Sequence, residues 1–287
     1  MDTRCYPCLG AIIGDTVGSI YEFENIKTTD FPFFSRKSDY TDDSIMTIAV
    51  ADWLATTDRS QAALENILVD WAGHNPCPMG GYGDSFRRWL FQPEALFWFD
   101  EAGDMHHFAD GKRHPYNSCG NGSAMRASAC GWAANTLDEA LDLGQRSAEI
   151  THNHPEGIKG AQAVAAAIFL ARRGESKDTI RKYMEQQFAY ELNTTCDAIR
   201  SYYDWDGTCQ GTVPPAILAW LDSSDFESAI RLAVSLGGDS DTLTCITGSI
   251  AQAYYNDMPE FMVERMQSLL PKEFWLVMEN LHQCCKT

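Results

Sequence analysis

The segment Leu236-Gly237-Gly238-Asp239-Ser240-Asp241-Thr242 packs acids and hydroxyls between a glycine pair and a largely apolar run from Leu243 to Tyr255. A run of that length behind such a segment predicts a helix with carboxylates at its N-terminus, where the macrodipole and free N–H groups favour anions. Tyr40-Thr41-Asp42-Asp43-Ser44 repeats the pattern ahead of the apolar run Ile45 to Leu54. Either stretch alone reads as ordinary N-capping by Asp, Ser and Thr. Two of them, far apart in the chain, suggest one shared site. Carboxylates drawn together repel, and they either take up protons or hold cations. Oxygen-only ligands suit a hard ion such as magnesium, calcium or manganese. An EF-hand is a poorer reading, because its Asp-x-Asp-x-Asp-Gly loop does not follow Asp239.

The rest of the chain is written mostly in helical period. Gly10, Gly14 and Gly18 recur at four-residue spacing, which lines one helical face with small residues and lets another helix approach. If that helix continues to Glu22, Asp15 and Glu22 share roughly the same face, with a pair of surface acids as the plainer reading. Leu64, Ile67, Leu68 and Trp71 follow i, i+3, i+4, i+7 behind Ser60, and Gly73 is the expected terminator. Residues 74–82 read as a Gly- and Pro-rich loop and 82–90 as a short helix. An aromatic stretch to Phe99 follows, then a polar loop whose His106, His107 and His114 are expected to face solvent. In Pro115-Tyr-Asn-Ser-Cys-Gly-Asn-Gly-Ser-Ala-Met-Arg126, Asn, Gly and Ser precede an Ala-rich run from Ala124 to Ala134. That is an oxyanion cradle in outline, with Ser123 as donor and Arg126 on the first turn, or else an inert capped loop.

Further helices are expected over 137–148, over the Ala-rich 158–173 ended by Gly174, and from a Ser176 cap to Phe188. Pro214 and Pro215 fit the first turn of a helix to Leu221. Phe226, Ile230, Ala233 and Val234 mark the helix that delivers Gly237, and two more, around 261–270 and 274–281, close the chain. Period-2 alternation is scarce, so the expected fold is all-α. No linker divides the 287 residues, which predicts a single domain.

A net charge of −18 disfavours an extended surface for nucleic acid, though not a small phosphorylated ligand. Ten cysteines without a secretory signal peptide, in a chain too long to need staples, point to reduced thiols and a cytoplasmic location. Cys5-Tyr-Pro-Cys8 has the spacing of half a zinc or redox site but lacks a second half. No apolar run approaches the ~18 residues of a membrane span. His152 and His154 have no further histidine or cysteine at zinc-ligand spacing, so hydrogen bonding to a ligand or to backbone is expected of them.

Taken together, Gly-Ala-Ile-Ile-Gly-Asp-Thr-Val-Gly-Ser, Tyr-Thr-Asp-Asp-Ser, Gly-Asn-Gly-Ser-Ala-Met-Arg, Thr-His-Asn-His-Pro-Glu-Gly and Leu-Gly-Gly-Asp-Ser-Asp-Thr resemble the ADP-ribosylglycohydrolase family, in order along residues 9–255. The resemblance implies a compact single-domain orthogonal helical bundle with two magnesium ions, sometimes manganese, at the base of a cleft for ADP-ribose. Thr41, Asp42, Asp43, Asp239, Asp241 and Thr242 match the family's metal ligands. Glu22 falls beside that site, and Asp43 or Asp241 is the candidate proton acceptor. Asn121, Gly122 and Ser123 match the loop that receives diphosphate, His152 or His154 a ribose- or phosphate-contacting histidine, and Tyr116 a stacking position for adenine. Ser44 replaces a threonine and keeps the hydroxyl.

The activity implied is hydrolysis of the bond between ADP-ribose and an acceptor, arginine being favoured, with ADP-ribose as product. Serine-linked or small-molecule conjugates are the alternative. The family also includes non-catalytic lens crystallins, but every acidic ligand position is filled here. Selection of the leaving group is expected from the loops 75–83 and 100–114.

Overall fold

The computed structural model describes residues 6–100, 102–108 and 110–285. The chain opens with α1 (Leu9–Gly18), α2 (Asp42–Ala55), α3 (Gln61–His74) and α4 (Asp84–Phe91). A short antiparallel hairpin follows, β1 (Phe97–Phe99) and β2 (Met105–His107), with Phe97 opposite His107. Then come α5 (Gly122–Met125), α6 (Ser128–Ala133), α7 (Leu137–Glu149), α8 (Pro155–Arg172), α9 (Lys177–Phe188), α10 (Cys196–Ile199) and α11 (Cys209–Asp222). The chain finishes with α12 (Phe226–Ser235), α13 (Ser240–Tyr255), α14 (Glu260–Leu269) and α15 (Lys272–Cys284). The all-α expectation holds, with that hairpin as its one sheet among the described residues.

Helix α13 is the axis of the molecule. Every residue from Ser240 to Ala253 is buried, and α1, α8, α11 and α12 all pack on it. Its contact with α1 is backbone against backbone: a Cβ on Gly14 would lie 2.0 Å from Thr244 O, and one on Gly18 would lie 2.4 Å from Ser240 O. The crossing is also tied by polar groups, since Gly10 N donates to Gln252 Oε1 (2.8 Å) and Gln252 Nε2 to Tyr6 O (2.7 Å). These contacts hold the C-terminal end of α1 beside the acidic start of α13.

Several boundaries differ from the sequence reading. Helix α1 stops at Gly18, so Asp15 and Glu22 do not share a helical face, and Asp15 is fully buried. Helix α3 runs through Gly73 to His74 and is closed by Asn75, whose Nδ2 and N both bond to Trp71 O. The run 124–134 is broken into α5 and α6 around Arg126. Helix α11 begins at Cys209 behind the Thr208 cap, which puts Pro214 and Pro215 inside it. Without an N–H on Pro215, the Gly211 carbonyl has no helical donor; it accepts the Tyr203 hydroxyl instead (3.1 Å). The hairpin, whose first strand falls in the aromatic stretch and whose second falls in the expected polar loop, is held by the Trp98–His106 ring stack (4.6 Å) and by His106 Nε2 against Asp100 Oδ2 (2.7 Å).

Cys8 is a buried free thiol, while Cys5 lies outside the described residues. Among the described residues no helix is long and apolar enough to cross a membrane.

Candidate active site

The two acidic helix starts meet. A cleft of about 470 Å³ is lined by Glu22, Asp42, Asp43, Asp239, Asp241 and Thr242, together with Gly80–Asp84, Tyr116, Gly120–Gly122 and His152. Carboxylate oxygens of Glu22, Asp239 and Asp241 lie within 4.8 Å of one another.

What aims these groups is a layer of neutral and buried partners. The Asp15 carboxylate accepts Thr41 N (2.9 Å), Thr41 Oγ1 (2.8 Å) and Ser44 N (3.1 Å), and also the Ser44 hydroxyl. It therefore clamps the first turn of α2 onto α1 and fixes Asp42 and Asp43 at the cleft. Thr41 Oγ1 caps α2 by accepting Asp43 N (3.2 Å), so the expected ligand is also the cap. Asp239 makes no cap bond to its helix. Its Oδ2 instead accepts Asn121 Nδ2 (2.8 Å), which also donates to Thr212 Oγ1 (3.0 Å). The glycine pair before it has positive φ at both residues, 69° and 72°, a conformation that glycine adopts without strain. Asn25 brackets Gly238 by accepting its N (2.6 Å) and donating to its O (2.9 Å), and Lys27 Nζ donates to Leu236 O (2.5 Å) and Tyr203 O (2.6 Å).

Crowding of acids shows in their protonation. Burial pushes the Glu22 carboxyl up to about 7, helped by Asp239 and Asp15. Asp42, Asp43 and Asp241 are raised well above the usual carboxylate range by burial and then by neighbouring acids. Asp15 rises to about 6 through burial, its four hydrogen bonds opposing the shift. Among the described residues none of Glu22, Asp42, Asp43, Asp239 or Asp241 forms an ion pair with Lys, Arg or His. Glu22 Oε2 and Asp43 Oδ2 are buried without any hydrogen-bond partner. Buried, unpaired carboxylate oxygens are costly unless a cation meets them, so this donor set fits hard divalent ions.

The remaining sequence-predicted residues divide. Tyr116 and His152 both line the cleft, with ring centroids 5.9 Å apart. His154 does not: its Nδ1 accepts Glu156 N (3.1 Å) and caps α8. Asn121 and Gly122 line the cleft, but the Asn121 side chain is committed to Asp239. Ser123 is fully buried, and its hydroxyl donates to Gly157 O (2.7 Å), away from the cleft lining. Of the two candidate specificity loops, 75–83 reaches the cleft and is tied to α2 by a parallel bridge between Thr41 and Met79. The other loop, 100–114, lines a different depression with Trp98 and Asn153.

Phe23 and Trp205, also lining the cleft, are 75% and 58% exposed at its mouth. Sequence reasoning passed over them, as it did Asn25 and Lys27. Asp15 alone had a local signal, as a charge inside an otherwise apolar, glycine-spaced run.

The chain is 26% identical to the ADP-ribosylarginine hydrolase Tri1 of Pseudomonas putida (strain GB-1), over 90% of this chain and 72% of that protein. It is 25% identical to the human ADP-ribosylhydrolase ARH3, over 98% of this chain and 93% of that one. A solved structure described as an ADP-ribosylglycohydrolase-related protein complex shares the fold, with a TM-score of 0.70 at 23% identity, covering 99% of this chain and 98% of that one. The family model described as ADP-ribosylglycohydrolase matches residues 3–286, nearly the whole length, and the chain therefore belongs to the ADP-ribosylglycohydrolase family and is a hydrolase.

Proposed function

We propose that this chain removes ADP-ribose from an arginine side chain, releasing ADP-ribose, with two magnesium ions bound by the acidic cluster. The observation that carries the reading is the convergence of Glu22, Asp42, Asp43, Asp239 and Asp241 on one cleft, with Glu22 Oε2 and Asp43 Oδ2 buried and unpaired. Asp42, Asp43, Asp239 and Asp241, with Thr41 and Thr242, would hold the ions, and Glu22 stands beside them. Bound there, divalent ions supply Lewis acidity and neutralise the mutual repulsion of the carboxylates.

The chain's own groups do the rest. Asp43 or Asp241 takes the proton of the attacking water, with Glu22, which lines the same cleft, as the third candidate. As the water oxygen bonds to the anomeric carbon, the bond to the acceptor nitrogen breaks, and the leaving guanidine keeps its electron pair. Charge builds on the sugar as an oxocarbenium ion, which surrounding carboxylates stabilise. Asn121 keeps Asp239 oriented through this, and the Gly120–Gly122 backbone, Tyr116 and His152 are the surfaces available to the nucleotide portion.

Arginine is favoured because the exposed rings of Phe23 and Trp205 flank an acidic opening, a setting that suits a planar cation. Incubation with arginine- and serine-ADP-ribosylated peptides, with and without magnesium, tests the reading. Magnesium-dependent release of ADP-ribose from the arginine peptide is expected; release from the serine peptide alone moves the assignment to that acceptor. No release from either peptide contradicts the proposal.

A further inference from the structure

His152 has one ring nitrogen committed and one open. Its Nδ1 lies 2.7 Å from Thr151 Oγ1. Among the described residues nothing is hydrogen-bonded to Nε2, which faces the glycine loop so closely that a Cβ on Gly122 would sit 3.2 Å from it. The short contact at Nδ1 does not by itself say which atom carries the proton; the surroundings do. Thr151 Oγ1 accepts Arg126 Nη2 at 2.8 Å. The other acceptor within reach of the threonine hydroxyl is Ala148 O, 3.5 Å away. That carbonyl already receives Thr151 N at 3.0 Å and His152 N at 2.8 Å. With both of its lone pairs engaged, the hydroxyl proton goes to the imidazole, and the ring's own proton then sits on Nε2.

Arg126 is well placed to enforce this. It is fully buried, its Nη2 also donates to Ser147 O (2.7 Å), and its guanidinium lies 5.6 Å from the Phe86 ring centre. Arginine donates hydrogen bonds and accepts none, so it orients the threonine hydroxyl in one sense. Its positive charge also opposes a second proton on the ring. His152 is accordingly held well below the usual imidazole range, by burial first and by Arg126 second.

We infer that Arg126 and Thr151 form a positioning relay that fixes His152 as the neutral Nε2–H tautomer, so that it presents an uncharged hydrogen-bond donor to an anionic oxygen of the cleft's ligand. The relay stands on the hydrogen bonds alone; identifying the anionic oxygen with the diphosphate of ADP-ribose rests on the function proposed above.

Long-range ¹H–¹⁵N correlation of the full chain at neutral pH reads the tautomer directly, with the His152 signals assigned by their loss in His152→Asn. The relay predicts a protonated Nε2 and a bare Nδ1 in the wild type and in Thr151→Ser. In Thr151→Val the ring moves toward a tautomer mixture, and ADP-ribose binding weakens about tenfold or more, the scale of a hydrogen bond to a charged group. A wild-type ring protonated on Nδ1, or on both nitrogens, overturns the proposal. So does a Thr151→Val protein whose tautomer and affinity match the wild type. Should Thr151→Val fail to fold, the wild-type and Thr151→Ser spectra decide. A wild-type protein with the Nε2–H signature but no affinity for ADP-ribose upholds the relay and rejects the nucleotide reading.

Discussion

At the scale of single residues the site is a cluster of acids held apart and aimed by side chains that carry no chemistry. Asp241 lies in the first turn of α13, with its Oδ1 accepting the neighbouring Thr242 N (2.9 Å). An amide can keep that bond, so Asp241→Asn preserves the helix start while removing one of the proposed anionic ligands. We expect turnover to fall by orders of magnitude and the melting temperature of the metal-free protein to be unchanged or raised, as repulsion is relieved. Parent-like turnover would leave Asp241 a structural residue of the helix start. Asn121 acts one step further out. Asn121→Leu removes the donor to Asp239 Oδ2, and loss of a group that orients a metal ligand typically costs about 10- to 100-fold in metal affinity. Magnesium titration calorimetry on the variant checks this, and parent-like affinity would show that Asp239 is oriented by something else.

Between elements, the α1–α13 crossing decides whether the site exists at all. Helix propensity alone predicts that Gly14→Ala stabilises α1 by roughly 1 kcal/mol. The added Cβ would lie 2.0 Å from Thr244 O, a backbone atom that cannot move without displacing α13. Overpacking therefore wins, and we expect a net loss of about 3 kcal/mol by denaturant unfolding; a stabilised variant would contradict the crossing. A close helix approach to α1 was legible in sequence from the four-residue glycine spacing, though not that α13 makes it, and the two acidic helix starts were legible from acids standing directly ahead of apolar runs. Caps such as Ser60 and Ser176 were equally plain, because each side chain accepts an N–H of the turn that follows it in sequence. What was not legible depends on distant partners. Asn25 and Lys27 look like loop residues until Gly238 and Leu236 are brought beside them. Asn121 carries a ligand-binding signature, yet its amide is spent on Asp239. Pro214 and Pro215 resemble an N-terminal signal, but the Thr208 cap starts α11 earlier and Tyr203 serves the carbonyl that Pro215 leaves without a donor.

For the whole molecule, the concentration of acids in one cleft makes stability depend on protons and ions together. In the metal-free protein Glu22 is raised to about 7 and Asp15 to about 6, above their ordinary values, so the folded state binds more protons than the unfolded chain between those limits. Linkage then makes the metal-free protein more stable as pH falls from about 7 toward 5. His152 works in the opposite sense below its ordinary value, since the unfolded chain takes up that proton first, but it is one group against several. Melting curves in chelator should therefore be higher at about pH 5.5 than at about pH 7.5, and added magnesium should raise the melting temperature more at the higher pH, where fewer protons compete for the carboxylates. Identical curves with and without magnesium would mean that the cluster holds no ion.

In the proposed function one cleft binds ADP-ribose both through divalent ions held by its acids and through its nucleotide-facing loop. Titration calorimetry of ADP-ribose and of AMP, each with and without magnesium, measures it most directly. AMP lacks the second ribose, so it cannot use the acidic cluster. ADP-ribose is expected to bind far more tightly than AMP in magnesium and to lose much more affinity than AMP when the ion is removed. Equal affinities for the two ligands, indifferent to magnesium, would contradict it.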